Sequence, residues 1–179
     1  MTSPSGDSSI PDLSRPEALV RHLSLRPHPE GGWYSEVFRS RDLVTPSDRR
    51  AERAALTTIY FLLARGQQSR WHRVTSDEAW HFYEGDPLEL WIVDPALERL
   101  ERVLLGPYAP DPSHVEPTTR PVHVVPAGYW QAARPIGDYA LTGCSVAPGF
   151  DFADFAMISD DPAAVARLTS RFPEMTSLV

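Results

Sequence analysis

Proline and glycine interrupt this chain so often that long regular elements have little room in it. There are 18 prolines and 10 glycines among 179 residues. Proline removes a backbone donor and glycine loosens the backbone, so both end elements and favour turns. What lies between them is short and rich in β-branched or aromatic residues. Trp33 to Phe38, Leu56 to Leu63, Glu78 to Tyr83, Leu88 to Val93, Leu100 to Leu104, Val122 to Val125, Tyr129 to Ala133 and Tyr139 to Val146 therefore read as strands. Arg41 to Arg53 and the four-proline stretch Tyr108 to Pro121 read as loops.

Helices are expected only near the two ends. Ser14-Arg15-Pro16-Glu17 fits a capping box, and Leu19, Val20 and Leu23 supply an apolar stripe that should stop before Pro27. Asp160-Asp161-Pro162 suits the start of a second helix running to about Arg171. Many short antiparallel strands with a helix at each end predict an all-β barrel or sandwich. The expected organisation is a disordered tail over residues 1–12, one domain over 13–172 and a C-terminal tail over 173–179.

Composition narrows the function classes. Hydrophobic residues at 42% are enough for a sizeable core. A formal charge of -7 spread over the chain gives no footprint for nucleic acid and argues against an anionic membrane surface. No apolar run is long enough to span a bilayer, and Met1 to Pro11 lacks the basic and apolar parts of a secretory signal. Cys144 is the single cysteine, so no disulfide can form within the chain, and a cytoplasmic location is expected.

The chemistry-bearing residues concentrate in a few blocks. Gly66, His72, Glu78 and Gly85 fall at the spacings of the first cupin motif, and Pro126-Ala127-Gly128-Tyr129-Trp130-Gln131 resembles the core of the second. Five blocks resemble the signature of cupin family 5 proteins, formerly called DUF985. They are residues 27–34, 71–74, 76–83, 125–133 and 147–155. The resemblance implies a double-stranded β-helix, that is, a cupin or jelly-roll barrel, and commonly a homodimer. It assigns no settled biochemical role, although the family is similar in structure to deoxysugar-nucleotide epimerases. Two positions depart from the metal-binding cupin pattern: Val74 stands at the second histidine of the first motif, and Gln131 at the histidine of the second.

Strand parity turns these blocks into a candidate site. Side chains alternate faces along a strand. With Glu78 inward, Trp80 and Phe82 are inward and His81 is outward. With Gln131 inward, Tyr129 and Ala133 are inward as well. A buried His beside a carboxylate can act as a general acid or base near neutral pH. The expected catalytic set is His72 as base, Glu78 as its orienting partner and Tyr129 as acid. Tyr34, Glu36, Arg39, Trp80, Phe82 and Gln131 are the expected ligand-binding residues. Three readings stay open. One is an isomerase or epimerase of a sugar or nucleotide-sugar. Another is a metal-dependent oxygenase or lyase holding a divalent transition metal on His72, Glu78 and Gln131. The last is a non-catalytic module for a small polar molecule. Asp151 and Asp154 read as turn caps or acids, and Cys144 as a buried inert thiol.

Overall fold

The strands expected from the breaker spacing are present, joined by several shorter ones. The computed structural model describes residues 13–109 and 118–179. After α1 (Arg15–His22) come β1 (Arg26–Pro27), β2 (Trp33–Arg39), β3 (Leu43–Val44), β4 (Arg53–Ala54), β5 (Thr57–Ala64) and β6 (Ser69–Val74). Then follow β7 (Asp77–Gly85), β8 (Leu88–Val93), β9 (Leu100–Leu105), β10 (Val122–Val125), β11 (Trp130–Pro135), β12 (Tyr139–Ala147) and β13 (Phe155–Met157). The last helix is α2 (Pro162–Arg171). The tail expected over 1–12, and most of the loop expected over 108–121, lie outside the described residues.

Two antiparallel sheets carry the fold. One has the order β1-β2-β5-β12-β7-β10 and the other β13-β6-β11-β8-β9. The main core lies between them. Phe61, Leu63, Trp80, Val125, Ala140 and Cys144 from the first sheet meet Leu88, Leu90, Ile92, Val103, Leu105 and Ala133 from the second. This is an all-β jelly-roll barrel with few short helices. The five-stranded sheet is also buried on its outer face. There Trp71, Trp91 and Trp130 are covered by α2 and by a final 3₁₀ turn. Every residue of β8 is accordingly buried.

That final turn corrects the expected C-terminal tail. Residues Pro173–Leu178 form a 3₁₀ helix whose Met175 and Leu178 are buried. Burial of these two apolar side chains offsets the entropy of ordering the segment. At the other end, Glu17 accepts from both the backbone N–H and the hydroxyl of Ser14, at 2.9 and 2.7 Å, which fixes the start of α1. Asp161 caps α2 by accepting from Ala163 and Ala164. The stretch expected as a loop over 41–53 contains the short β3–β4 pair. No helix among the described residues is long and apolar enough to cross a membrane.

Strand β6 was not among the expected strands, and it matters most for the site. It pairs with β11 and β13, and its pairing with β11 shifts register between Gln131 and Ala133. Gln131 faces His72, whereas Ala133 faces Ser69, so β6 holds one extra residue. The bulge turns both Ser69 and His72 into the barrel, although strict alternation would separate them. Trp71 remains on the outer face.

The segment leading into β13 is held by an ion-pair cluster. Asp154 accepts from Arg53 at 2.8 and 2.9 Å and from Arg50 at 2.8 Å. The three side chains are only 7–13% exposed. Asp154 is therefore a structural anion and neither a catalytic acid nor a simple cap. Removing one partner of such a pair leaves buried charges uncompensated. Asp154→Ala should lower the urea-unfolding free energy by about 3 kcal/mol. A loss below about 1 kcal/mol, the range of an exposed pair, would contradict this account.

Candidate active site

Where the two sheets meet at one end of the barrel, an aromatic-walled cavity of about 270 Å³ ends on a cluster of buried polar groups. His72 and Gln131 come from the five-stranded sheet, and Glu78 comes from the six-stranded one. The three expected tips converge. Gln131 Nε2 donates to Glu78 Oε2 at 2.6 Å and lies 3.0 Å from His72 Nε2. Its oxygen accepts from Trp80 Nε1 at 2.9 Å. An indole N–H only donates, so it fixes which end of the amide faces each neighbour.

A fourth member was not anticipated. Glu30 lies in the turn between β1 and β2 and is 5% exposed. Its carboxyl accepts from the Ser69 hydroxyl at 2.8 Å and stands 3.2 Å from His72 Nε2 and 3.3 Å from His28 Nδ1. Two glycines let the turn press so close. A Cβ on Gly31, where φ is +116°, would meet the Gln68 carbonyl oxygen at 2.1 Å, and Gly32 also has positive φ. Arg70 locks the turn, donating its N–H to the Glu30 carbonyl at 2.9 Å and its side chain to the Pro29 carbonyl at 2.7 Å. The signal was in the sequence: His28-Pro29-Glu30-Gly31-Gly32 places two titratable groups beside two glycines.

Burial decides the charges. It pushes the Glu30 carboxyl up to about 8, against the opposing Ser69 hydrogen bond and the Arg70 charge. It pushes His28 down to about 3, helped by the nearby His72 and Arg26 charges. His72 is also lowered and Glu78 raised, both chiefly by burial. At neutral pH the Glu30 carboxyl thus meets both imidazoles as neutral groups, and its single O–H can serve only one ring nitrogen at a time. His72 Nδ1 lies 2.8 Å from the Arg70 carbonyl, which can only accept. The proton of the neutral ring sits there, and the Nε2 lone pair faces Gln131 and Glu30.

The other expected residues divide cleanly. Tyr34, Glu36 and Arg39 line the cavity. Arg39 donates to Glu36 at 2.7 Å and to the Phe150 carbonyl at 3.1 Å. Trp80, Phe82, Tyr129 and Gln131 do not line it, Gln131 lying behind His72 and Glu78. Trp80 is 1% exposed and supports Gln131 from behind, while Phe82 and Tyr129 pack against the main core. Tyr129 sits in the turn before β11, its N–H bonded to the Pro126 carbonyl, so strand parity does not govern it. Val74 replaces the motif's second histidine as an apolar lining residue. Cys144 is buried and its thiol is raised well above its usual range by burial and by Glu78, to which it donates. His81 stacks near Tyr83 away from the cavity. Asp151 lines the cavity and caps a 3₁₀ turn through Ala153. Phe150, Phe152 and Phe155 form a wall that sequence reasoning passed over. Phe155 stacks on His72 at 5.5 Å and Phe152 on His28 at 6.2 Å.

This donor set does not suit a transition metal on His72, Glu78 and Gln131. Gln131 offers both partners N–H groups, and its one oxygen is committed to Trp80. A metal ligand needs a lone pair, so the expected neutral oxygen donor points the wrong way. Among the described residues no group of three or more His, Cys, Asp or Glu is placed to hold a metal ion.

The buried proton on Glu30 has a measurable consequence. An unfolded Glu titrates near 4.5, whereas folded Glu30 titrates near 8. Between these values the folded chain holds a proton that the unfolded chain has lost, so stability falls as pH rises. His28 acts in the opposite sense. From about 3 to 6.5 the unfolded chain holds the extra proton, and stability rises with pH. From about 6.5 to 8 the Glu30 effect stands without it. There the urea-unfolding free energy should decline by up to about 1.4 kcal/mol per pH unit for one proton. Glu30→Gln, which keeps shape and a donor, should flatten the decline. Equal slopes for both proteins would contradict the assignment.

Comparisons with known proteins agree with the architecture. The family model described as "Cupin superfamily (DUF985)" matches residues 17–158. A hypothetical protein from Leishmania major is 32% identical, with a TM-score of 0.73 over 91% of this chain and 95% of that one. A protein from Shewanella oneidensis, solved by X-ray crystallography, is also 32% identical, with a TM-score of 0.74 over 93% and 96%. Oxalate decarboxylase from Bacillus subtilis at pH 4.6 is 16% identical, with a TM-score of 0.53 over 86% of this chain and 36% of that one, and shares the fold alone. A search of curated proteins finds no match. With its motif residues gathered in one barrel and the family model spanning most of its length, the chain belongs to the DUF985 family of the cupin superfamily.

Proposed function

We propose that the barrel binds a small sugar-like carbonyl compound and moves a proton on it, as an isomerase or epimerase does. One observation carries this reading. Glu30 Oε2 and His72 Nε2 stand 3.2 Å apart on the cavity floor, the acid protonated and the imidazole neutral. In water at neutral pH the carboxyl would be ionised. Burial has made it the acid and left His72 neutral, so that its Nε2 lone pair serves as the base once the Gln131 N–H gives way to the ligand.

The step follows from those two states. A ligand carbonyl enters between Glu30 and His72 and displaces the Gln131 N–H from His72 Nε2. His72 Nε2 takes a proton from the carbon beside the carbonyl while the Glu30 O–H gives its proton to the carbonyl oxygen. The product of the half-reaction is a neutral enediol. Return of the His72 proton to the neighbouring carbon, while Glu30 takes a proton from the enediol O–H, completes an isomerisation. A solvent proton delivered to the opposite face, with the same return to Glu30, completes an epimerisation. Gln131 and Glu78 keep His72 in place, and Phe155 stacks on its ring. Tyr129, the acid expected from strand parity, is replaced in this role by Glu30. The cavity, about 270 Å³, is just below the roughly 300–1,000 Å³ of pockets for drug-sized ligands, so of a nucleotide-sugar it would enclose only the sugar end.

The test is carbon-bound hydrogen exchange. Dihydroxyacetone, erythrulose and xylulose, each incubated with the protein in deuterated water, should lose C–H signal in proton NMR faster than in buffer. His72→Asn and Glu30→Gln should each slow this by about 100-fold or more. Saturable binding without any exchange would leave a binding module and overturn the catalytic reading.

A further inference from the structure

Arg26 is the one lining arginine that the fold leaves uncommitted. It opens β1, opposite Tyr34 in the β1–β2 ladder, and its guanidinium lies 4.8 Å over the Tyr34 ring. Stacking holds the plane of the fork and leaves its N–H edges free. Among the described residues no carboxylate pairs with it. Arg39, the other arginine on the cavity, is consumed by Glu36 and by the Phe150 carbonyl, so it braces the wall. Arg26 and Arg39 are exposed, whereas Glu30, His72 and Glu78 are buried, so the cations mark the mouth and the acid–base cluster marks the floor.

We infer that the ligand is a small organic anion whose carboxylate or phosphate docks on Arg26 at the mouth and whose uncharged polar end reaches the Glu30–His72–Glu78 floor. This deepens the proton-transfer reading above and rests on it for the identity of the reacting end. The chemistry of the site favours that orientation over its reverse. A guanidinium edge matches a planar or tetrahedral oxyanion with two parallel bonds. The floor offers a carboxyl pair and imidazoles in a dry setting, where an anion would be poorly solvated. The walls between, Ile59, Phe61, Val74 and Phe155 among them, suit a short carbon body.

Matched three-carbon probes separate the possibilities. Dihydroxyacetone, hydroxypyruvate and dihydroxyacetone phosphate share a hydroxyketone end and differ in carrying no charge, a carboxylate or a phosphate. Binding is read by ligand-observed NMR titration on the full chain. At least one of the two anions should bind about tenfold or more tighter than dihydroxyacetone, and which one does so names the group. Arg26→Gln should erase that preference, and Arg26→Lys should keep part of it. Arg26 is exposed, so these variants should keep the wild-type melting temperature. Equal binding of all three, absence of binding by both anions, or a preference that survives Arg26→Gln would overturn the inference. The two readings fail separately. An anion preference that depends on Arg26 without carbon exchange sinks only the proton-transfer chemistry, and exchange without such a preference sinks only the anion anchor.

Discussion

Everything at the open end of this barrel depends on one amide. Gln131 spans the gap between the two sheets, accepting from Trp80 through its oxygen and offering its N–H groups to Glu78 and His72. In a dry interior each of those groups would be costly if left unpaired. The amide satisfies all three and sets the direction of every bond. A histidine in its place would offer a lone pair to a metal, whereas Gln131 offers hydrogens. One side-chain choice thereby removes the lone pair from a position suited to a metal ligand.

The acid–base character follows from the same dryness. Glu30, His28, His72 and Glu78 all move toward their uncharged forms because water is scarce around them. Aromatic rings supply the dry wall and leave room for a ligand between them. Keeping such a cluster neutral and hydrogen-bonded lets the fold tolerate it. It also sets the protonated Glu30 carboxyl 3.2 Å from the His72 Nε2.

Most of the architecture was legible from the sequence because turn residues and strand patterns are local. The breaker spacing located the long strands, and alternation placed Glu78, Trp80 and Gln131 on the inner face correctly. Alternation failed where the backbone departs from it. The bulge in β6 brings Ser69 and His72 to one face, and Tyr129 lies in a turn. Parity also says which face a side chain takes, not how far along the barrel the cavity extends. Trp80 and Phe82 therefore point inward yet lie beyond its floor. Glu30 was hidden for a different reason. It joins the site through a glycine turn packed on a strand some 40 residues away in sequence, a contact that no local pattern announces. The apolar C-terminal residues likewise find a covering role only once the outer tryptophans are in place.

The central claim is that Glu30 carries a proton at neutral pH. Infrared difference spectroscopy between the wild-type protein and Glu30→Gln, at pH 7 and then at rising pH, reads this directly. The account predicts a protonated-carboxyl C=O band belonging to Glu30 that shifts in deuterated water and gives way to carboxylate bands as pH passes about 8. Carboxylate bands alone for Glu30 at pH 7 would contradict it.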